Sequence, residues 1–162
     1  MELMDHFSLE EFINQSNSNR LAINHNTIDT FKCIQKLSEY LDNKHDKHIP
    51  IIITDATRWD SKYDYSQHYY KNATAFDIKV KGYSSIELMR VVEELDIGTG
   101  RGLYPKGSGF IHLDTRRGLS SDDGRVSRWF RYNGDYYNYN EHYNKFPFGG
   151  WLKENKYIEG DL

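Results

Sequence analysis

Two short runs constrain the fold most, because charged and metal-ligating residue types interrupt otherwise apolar, strand-like sequence in Thr74-Ala75-Phe76-Asp77-Ile78-Lys79-Val80 and Gly109-Phe110-Ile111-His112-Leu113-Asp114. Alternate residues of a strand share a face. Phe76, Ile78 and Val80 thus form one apolar face, with Asp77 opposite between Ala75 and Lys79. In the second run Ile111 and Leu113 face one way, and Phe110, His112 and Asp114 the other. A carboxylate in mid-strand costs desolvation energy unless a cation or hydrogen-bond donors compensate it. With His68 supplied from the preceding segment, two histidines and a carboxylate match a zinc site that has three protein ligands and one open position.

Other segments supply the scaffold. Ser8 followed by Glu11 is a capping-box signature and predicts a short helix near 9–14. Ile28, Phe31, Ile34, Leu37 and Leu41 recur at helical steps and predict a helix near 27–42, with Cys33 as a small buried or half-buried side chain on it. The apolar run 49–54 reads as a buried strand with Pro50 confined to its start. Residues 55–72 lack a period and read as a long functional loop carrying Arg58, Ser66 and His68. Ser84 or Ser85, with Glu87 or Glu94 behind it, opens a helix near 85–95, with Ile86, Met89, Val92 and Val91 or Leu95 turned inward. The glycines at 98, 100 and 102 read as a turn, because no helix and no phosphate-loop spacing follows them. Residues 118–124 read as a polar connection, 126–132 as a further strand, and 136–139 as its partner. The expected architecture is α+β, a small mostly antiparallel sheet packed with helices in one domain over 1–162, with an aromatic C-terminal extension from about 133.

Composition excludes some functions. A formal charge of −3 argues against a general electrostatic grip on nucleic acid, which depends on neutralising many phosphates. No run approaches a membrane span, and the single cysteine excludes an intramolecular disulfide or a cysteine zinc knuckle. The opening residues 1–6 lack a positive, apolar leader, so synthesis in the cytoplasm is expected. No Gly-x-Ser-x-Gly elbow or Ser-x-x-Lys motif supports a serine nucleophile.

The order Arg58, Ser66-x-His68, Ala75-x-Asp77, Tyr104-Pro105, Phe110-Ile111-His112-x-Asp114 and Ser127-Arg128-Trp129 resembles the M15 family of zinc D-Ala-D-Ala carboxypeptidases and peptidoglycan endopeptidases. The branch in which the last ligand is followed by x-Asp is the most similar, and His6-Phe7-Ser8-Leu9-Glu10-Glu11-Phe12 is similar to its opening segment. The resemblance spans roughly residues 6–132. It implies a hedgehog/D-Ala-D-Ala-peptidase-like fold, zinc held by His68, Asp77 and His112, and peptidoglycan peptides as substrate. Release by a phage or lysis route would then carry the enzyme to the cell wall.

Two departures stand out. The family pattern Ser-x-His-x-x-Gly-x-Ala-x-Asp is two residues longer here and lacks its glycine. Where several branches place an acid or histidine just before the third ligand, this chain has Gly109 and Phe110. Asp114 then has three readings: a general base, a group orienting a histidine, or a structural partner of Arg116 or Arg128. Arg58 can hold a peptide carboxylate or a developing oxyanion, and Ser66, Gln67 and Arg116 are candidate substrate contacts. The series Trp129, Tyr132, Tyr136, Tyr137, Tyr139, Tyr143, Phe146, Phe148 and Trp151 is explained chiefly by packing, with sugar stacking as its functional reading. Together the departures support an alternative of another class, a non-catalytic wall-binding or phage structural module on the same fold.

Overall fold

The computed structural model describes residues 2–4, 7–8, 13–14, 20–21, 27–59, 65–106, 109–116, 126–137 and 145–154. In chain order the elements are β1 (Glu2–Met4), β2 (Phe7–Ser8), β3 (Ile13–Asn14), β4 (Arg20–Leu21), α1 (Ile28–His45), β5 (Ile51–Asp55), β6 (Ala75–Val80), α2 (Ser85–Leu95), β7 (Gly100–Tyr104), β8 (Phe110–Asp114), β9 (Ser127–Tyr132), β10 (Asp135–Tyr137) and α3 (Gly149–Glu154). β1 pairs with β2 and β3 with β4, while the other six form one sheet in the order β10-β9-β7-β8-β6-β5. The fold is α+β, and within the six-stranded sheet only β7 and β9 run parallel.

The helices follow their periods. α1 buries Phe31, Ile34, Leu37 and Leu41, and Phe31 meets Phe76 of β6 edge to face at 5.2 Å. It runs to His45 rather than ending near 42, because Asp46 adopts a left-handed conformation (φ 52°) and returns its N–H to the Asp42 carbonyl. Lys44 and His45 suit the negative end of the helix dipole. α2 opens with a complete capping box: Ser84 accepts from the Glu87 N–H, and the Glu87 carboxylate accepts from the Ser84 N–H. Its inward face includes Leu88 beside Met89, Val91 and Val92, whereas Ile86 and Leu95 are only half-buried.

Three expectations need correction or restriction. Ile13–Asn14 is a strand, so no helix reaches residue 14; residues 9–12, like the connection 118–124, lie outside the described residues. Gly100 and Gly102 belong to a strand within the sheet rather than to a turn, and only Gly98 (φ 73°) and Thr99 form the approach to it. Strand glycines often mark close approach of another group. Here a Cβ on Gly100 would overlap the Asp114 carboxylate, and one on Gly102 would lie 2.6 Å from the Trp129 ring. Without side chains at these positions, β7 makes room for two large neighbours on one face of the sheet.

On the helix face lies a buried ionic cluster. Arg101 is 0% exposed; its Nε donates to the Ile97 and Gly98 carbonyls, and its terminal nitrogens pair with Glu93 and Asp96. Arg128 donates to the same Glu93 at 2.9 and 3.0 Å. The end of α2 is thereby tied to β7 and β9, the parallel pair.

The C-terminal aromatics are mainly core. Phe130, Tyr132, Tyr137, Phe146 and Phe148 pack ring on ring, and Trp151 of α3 is buried. Tyr139 and Tyr143 lie outside the described residues. Gly100→Ala is expected to destabilise by about 1–3 kcal/mol through overpacking, whereas Gly150→Ala, with no atom within 4 Å of the added methyl, is expected to be neutral or stabilising in urea denaturation.

Candidate metal centre

The sheet face opposite the helices gathers the polar residues. Asp77 of β6 is directly paired with His112 of β8, and His112 in turn with Gly102 of β7. His68 arrives from the preceding loop, which is fixed to the end of β5 by two backbone bonds: Arg58 N–H to the His68 carbonyl at 2.6 Å, and Tyr70 N–H to the Arg58 carbonyl at 2.8 Å. The longer spacing between His68 and Asp77 is absorbed by a turn in which Asn72 and Ala73 both return N–H groups to the Tyr69 carbonyl. Ala73 takes a left-handed φ of 46° there, a conformation in which glycine is more at ease.

Three atoms converge. His68 Nε2 lies 3.1 Å from Asp77 Oδ1 and 3.0 Å from His112 Nδ1, and His112 Nδ1 lies 2.9 Å from Asp77 Oδ1. All three residues are buried, and they are a group able to hold a metal ion among the described residues. The far ring nitrogens fix the tautomers. His68 Nδ1 faces the Ala56 carbonyl at 2.8 Å, an acceptor only, so it carries the proton. His112 Nε2 faces Asp114 Oδ2 at 2.9 Å and is the donor there. Both remaining nitrogens therefore aim lone pairs at the Asp77 carboxylate, and a cation or a proton must sit among them. Their spacing is near the roughly 3.3 Å that a tetrahedral zinc with bonds of about 2.0–2.1 Å imposes on its ligands, so the residues fit the metal.

The electrostatics agree. Burial penalises the Asp77 carboxylate, but the charges and hydrogen bonds of His68 and His112 outweigh it and hold its pKa well below the usual carboxylate range. Burial disfavours the His112 imidazolium, yet bonds to Asp114 and Asp77 push its pKa up to about 9. In metal-free protein His112 is thus protonated at neutral pH. Its contribution to stability is full below the unfolded histidine value and is lost as pH rises through about 9.

The remaining candidates lie around this centre. Asp114 is 0% exposed and sits behind His112, with Arg116 donating to it from its backbone N–H at 3.0 Å and from Nε at 2.9 Å. Burial works to raise its pKa, but the hydrogen bonds and charges of His112 and Arg116 prevail and leave it depressed. Arg128, the other proposed partner, is instead held by Glu93 on the opposite face. Arg116 also lies over the Trp129 ring at 5.0 Å, and that ring packs 4.9 Å from His112. Arg58 donates through Nε and Nη2 to Asp55, whose other oxygen accepts from the Ala56 N–H. Ser66 Oγ accepts from the His68 N–H, and Gln67 Oε1 from Thr74 Oγ1, so both side chains bond within their own loop. The motif order read from the sequence includes Trp129 and Tyr104 without giving either a role at this centre. Only their pairing across β7, β8 and β9 brings them to this face.

The family model described as Peptidase M15 matches residues 5–114, more than half of the chain, and the chain belongs to that family. No curated protein and no solved structure matches.

Zinc titrations at several pH values test the centre. Affinity is expected to rise about tenfold per pH unit as the competing His112 proton is lost, and to level off above about pH 9. Asp114→Asn should weaken zinc binding by about 10- to 100-fold, the usual worth of a carboxylate that orients a ligand histidine.

Proposed function

We propose that this M15 peptidase is zinc-dependent and hydrolyses peptide bonds in bacterial cell-wall peptidoglycan, as a D-Ala-D-Ala carboxypeptidase or a stem-peptide endopeptidase. The observation that carries the reading is the convergence of His68 Nε2, Asp77 Oδ1 and His112 Nδ1 with both outer histidine nitrogens already engaged. A zinc ion bound there supplies Lewis acidity toward a carbonyl group and toward water.

The protein residues divide the other tasks. Asp114, clamped by Arg116, orients His112 and keeps its Nδ1 lone pair turned to the centre. Trp129 backs that ring and confines it. Arg58, aimed by Asp55 and 39% exposed at its side chain, presents a fixed positive charge for a substrate carboxylate. Peptidoglycan stem peptides carry such carboxylates, and a guanidinium recognises them by paired hydrogen bonds. Ser66 and Gln67 serve by shaping the loop that delivers His68. Action on the wall would follow release from the cytoplasm.

One observation favours the second reading, a non-catalytic wall-binding or phage structural module. Gly109 and Phe110 offer no base, Asp114 lies behind His112, and Asp55 is engaged by Arg58. Digestion of purified sacculi, with fragments identified by mass, separates the two. The peptidase reading expects new peptide ends from wild type, none after His112→Ala, and an Arg58→Ala enzyme whose KM rises by about tenfold or more, as expected for loss of a charged hydrogen bond. Zinc and wall binding without new ends would support the module.

A further inference from the structure

Tyr104 lies on the same sheet face as the metal-binding triangle. It is two residues beyond Gly102, the residue paired with His112, and is itself paired with Phe110, on which its ring stacks at 4.1 Å. Its ring meets Tyr136 edge-on at 6.4 Å, and its hydroxyl lies within hydrogen-bonding reach of Tyr136 and Trp129. The indole N–H can only donate, so Tyr104 accepts from Trp129 and directs its own proton toward Tyr136. That acceptor is 62% exposed, on β10 at the edge of the sheet, and a substrate oxygen can replace it. The phenol is also close enough to Asp77 and to Arg58 for their charges to be felt.

We propose that Tyr104 is a further catalytic residue: its hydroxyl turns from Tyr136 to donate a hydrogen bond to the carbonyl oxygen of the scissile peptide as negative charge develops there. The assignment rests on the peptidase reading above. No proton is transferred, and the bond strengthens as the oxygen gains charge, which is what lowers a barrier rather than merely binding substrate. Burial first, then the bond to Tyr136 and the charge of Asp77, hold the phenol proton firmly, so the donor stays neutral and intact across the working pH range. Trp129 adds the orientation: by filling the acceptor side of the hydroxyl it leaves the proton as the group's outward-facing contact.

The test is Tyr104→Phe in the full chain, which keeps the stack on Phe110. Turnover and KM are measured on the bond identified in the sacculus digest, together with calorimetric affinity for a phosphinate isostere of that dipeptide and for zinc alone. The expected result is a kcat lower by about 10²- to 10³-fold, the usual worth of one such donor, with KM within about twofold, phosphinate affinity reduced and zinc affinity unchanged. Tyr136→Phe, which removes only the resting acceptor, should stay within a few-fold of wild type. Unchanged kcat and phosphinate affinity in Tyr104→Phe, a matching loss of zinc, or an equal loss in Tyr136→Phe would each overturn the assignment. A wild type that neither cleaves sacculi nor binds the phosphinate would overturn the peptidase reading, and this inference with it.

Discussion

Three acceptors that point at one another inside a protein need a positive charge between them. His68 Nε2, Asp77 Oδ1 and His112 Nδ1 stand about 3 Å apart in a buried setting, and their outer partners, the Ala56 carbonyl and Asp114, forbid the histidines from rotating their protons inward without breaking a bond. Much of the surrounding structure serves this arrangement. The register of β6 against β8 sets Asp77 beside His112. The two-bond pairing of residue 58 with the segment around 69 holds the loop that supplies His68. Gly100 and Gly102 leave the space that Asp114 and Trp129 occupy.

The same requirement accounts for a layered distribution of charge. Asp77 is compensated from inside the triangle, and Asp114 from outside by Arg116, which in turn rests on Trp129. Each buried carboxylate therefore has named cationic or donor partners, as burial demands. Arg101 and Arg128 meet the same demand on the opposite face through Glu93 and Asp96, where they join α2 to the parallel strands. One sheet thus separates a structural ionic cluster from a chemical one.

Much of this was legible in the sequence, for physical reasons. Strand alternation alone places Asp77 and His112 opposite the apolar residues of β6 and β8, and helical periods with the Ser84 and Glu87 cap locate α1 and α2. Gly100-Arg101-Gly102 reads as a turn because its fitness for a strand depends on side chains from other strands, which one sequence does not display. Arg101, within that run, is buried and paired with Glu93 and Asp96 from the end of α2, contacts that the run by itself does not display. For Asp114, alternation gives the face but not the order along it; the structure sets the ring of His112 between Asp114 and Asp77. Trp129 is brought beside Gly102 by the parallel β7–β9 pairing, a long-range contact with no local signature, and Tyr104 is set beside Phe110 by the pairing of β7 with β8.

The most direct test is an anomalous difference map at the zinc edge from crystals of the full chain grown with zinc. The account predicts a peak bounded by His68 Nε2, the Asp77 carboxylate and His112 Nδ1, with His112 Nε2 still bonded to Asp114. Zinc bound elsewhere, no zinc at this centre, or a His112 ring reversed to present Nε2 to the metal would contradict it.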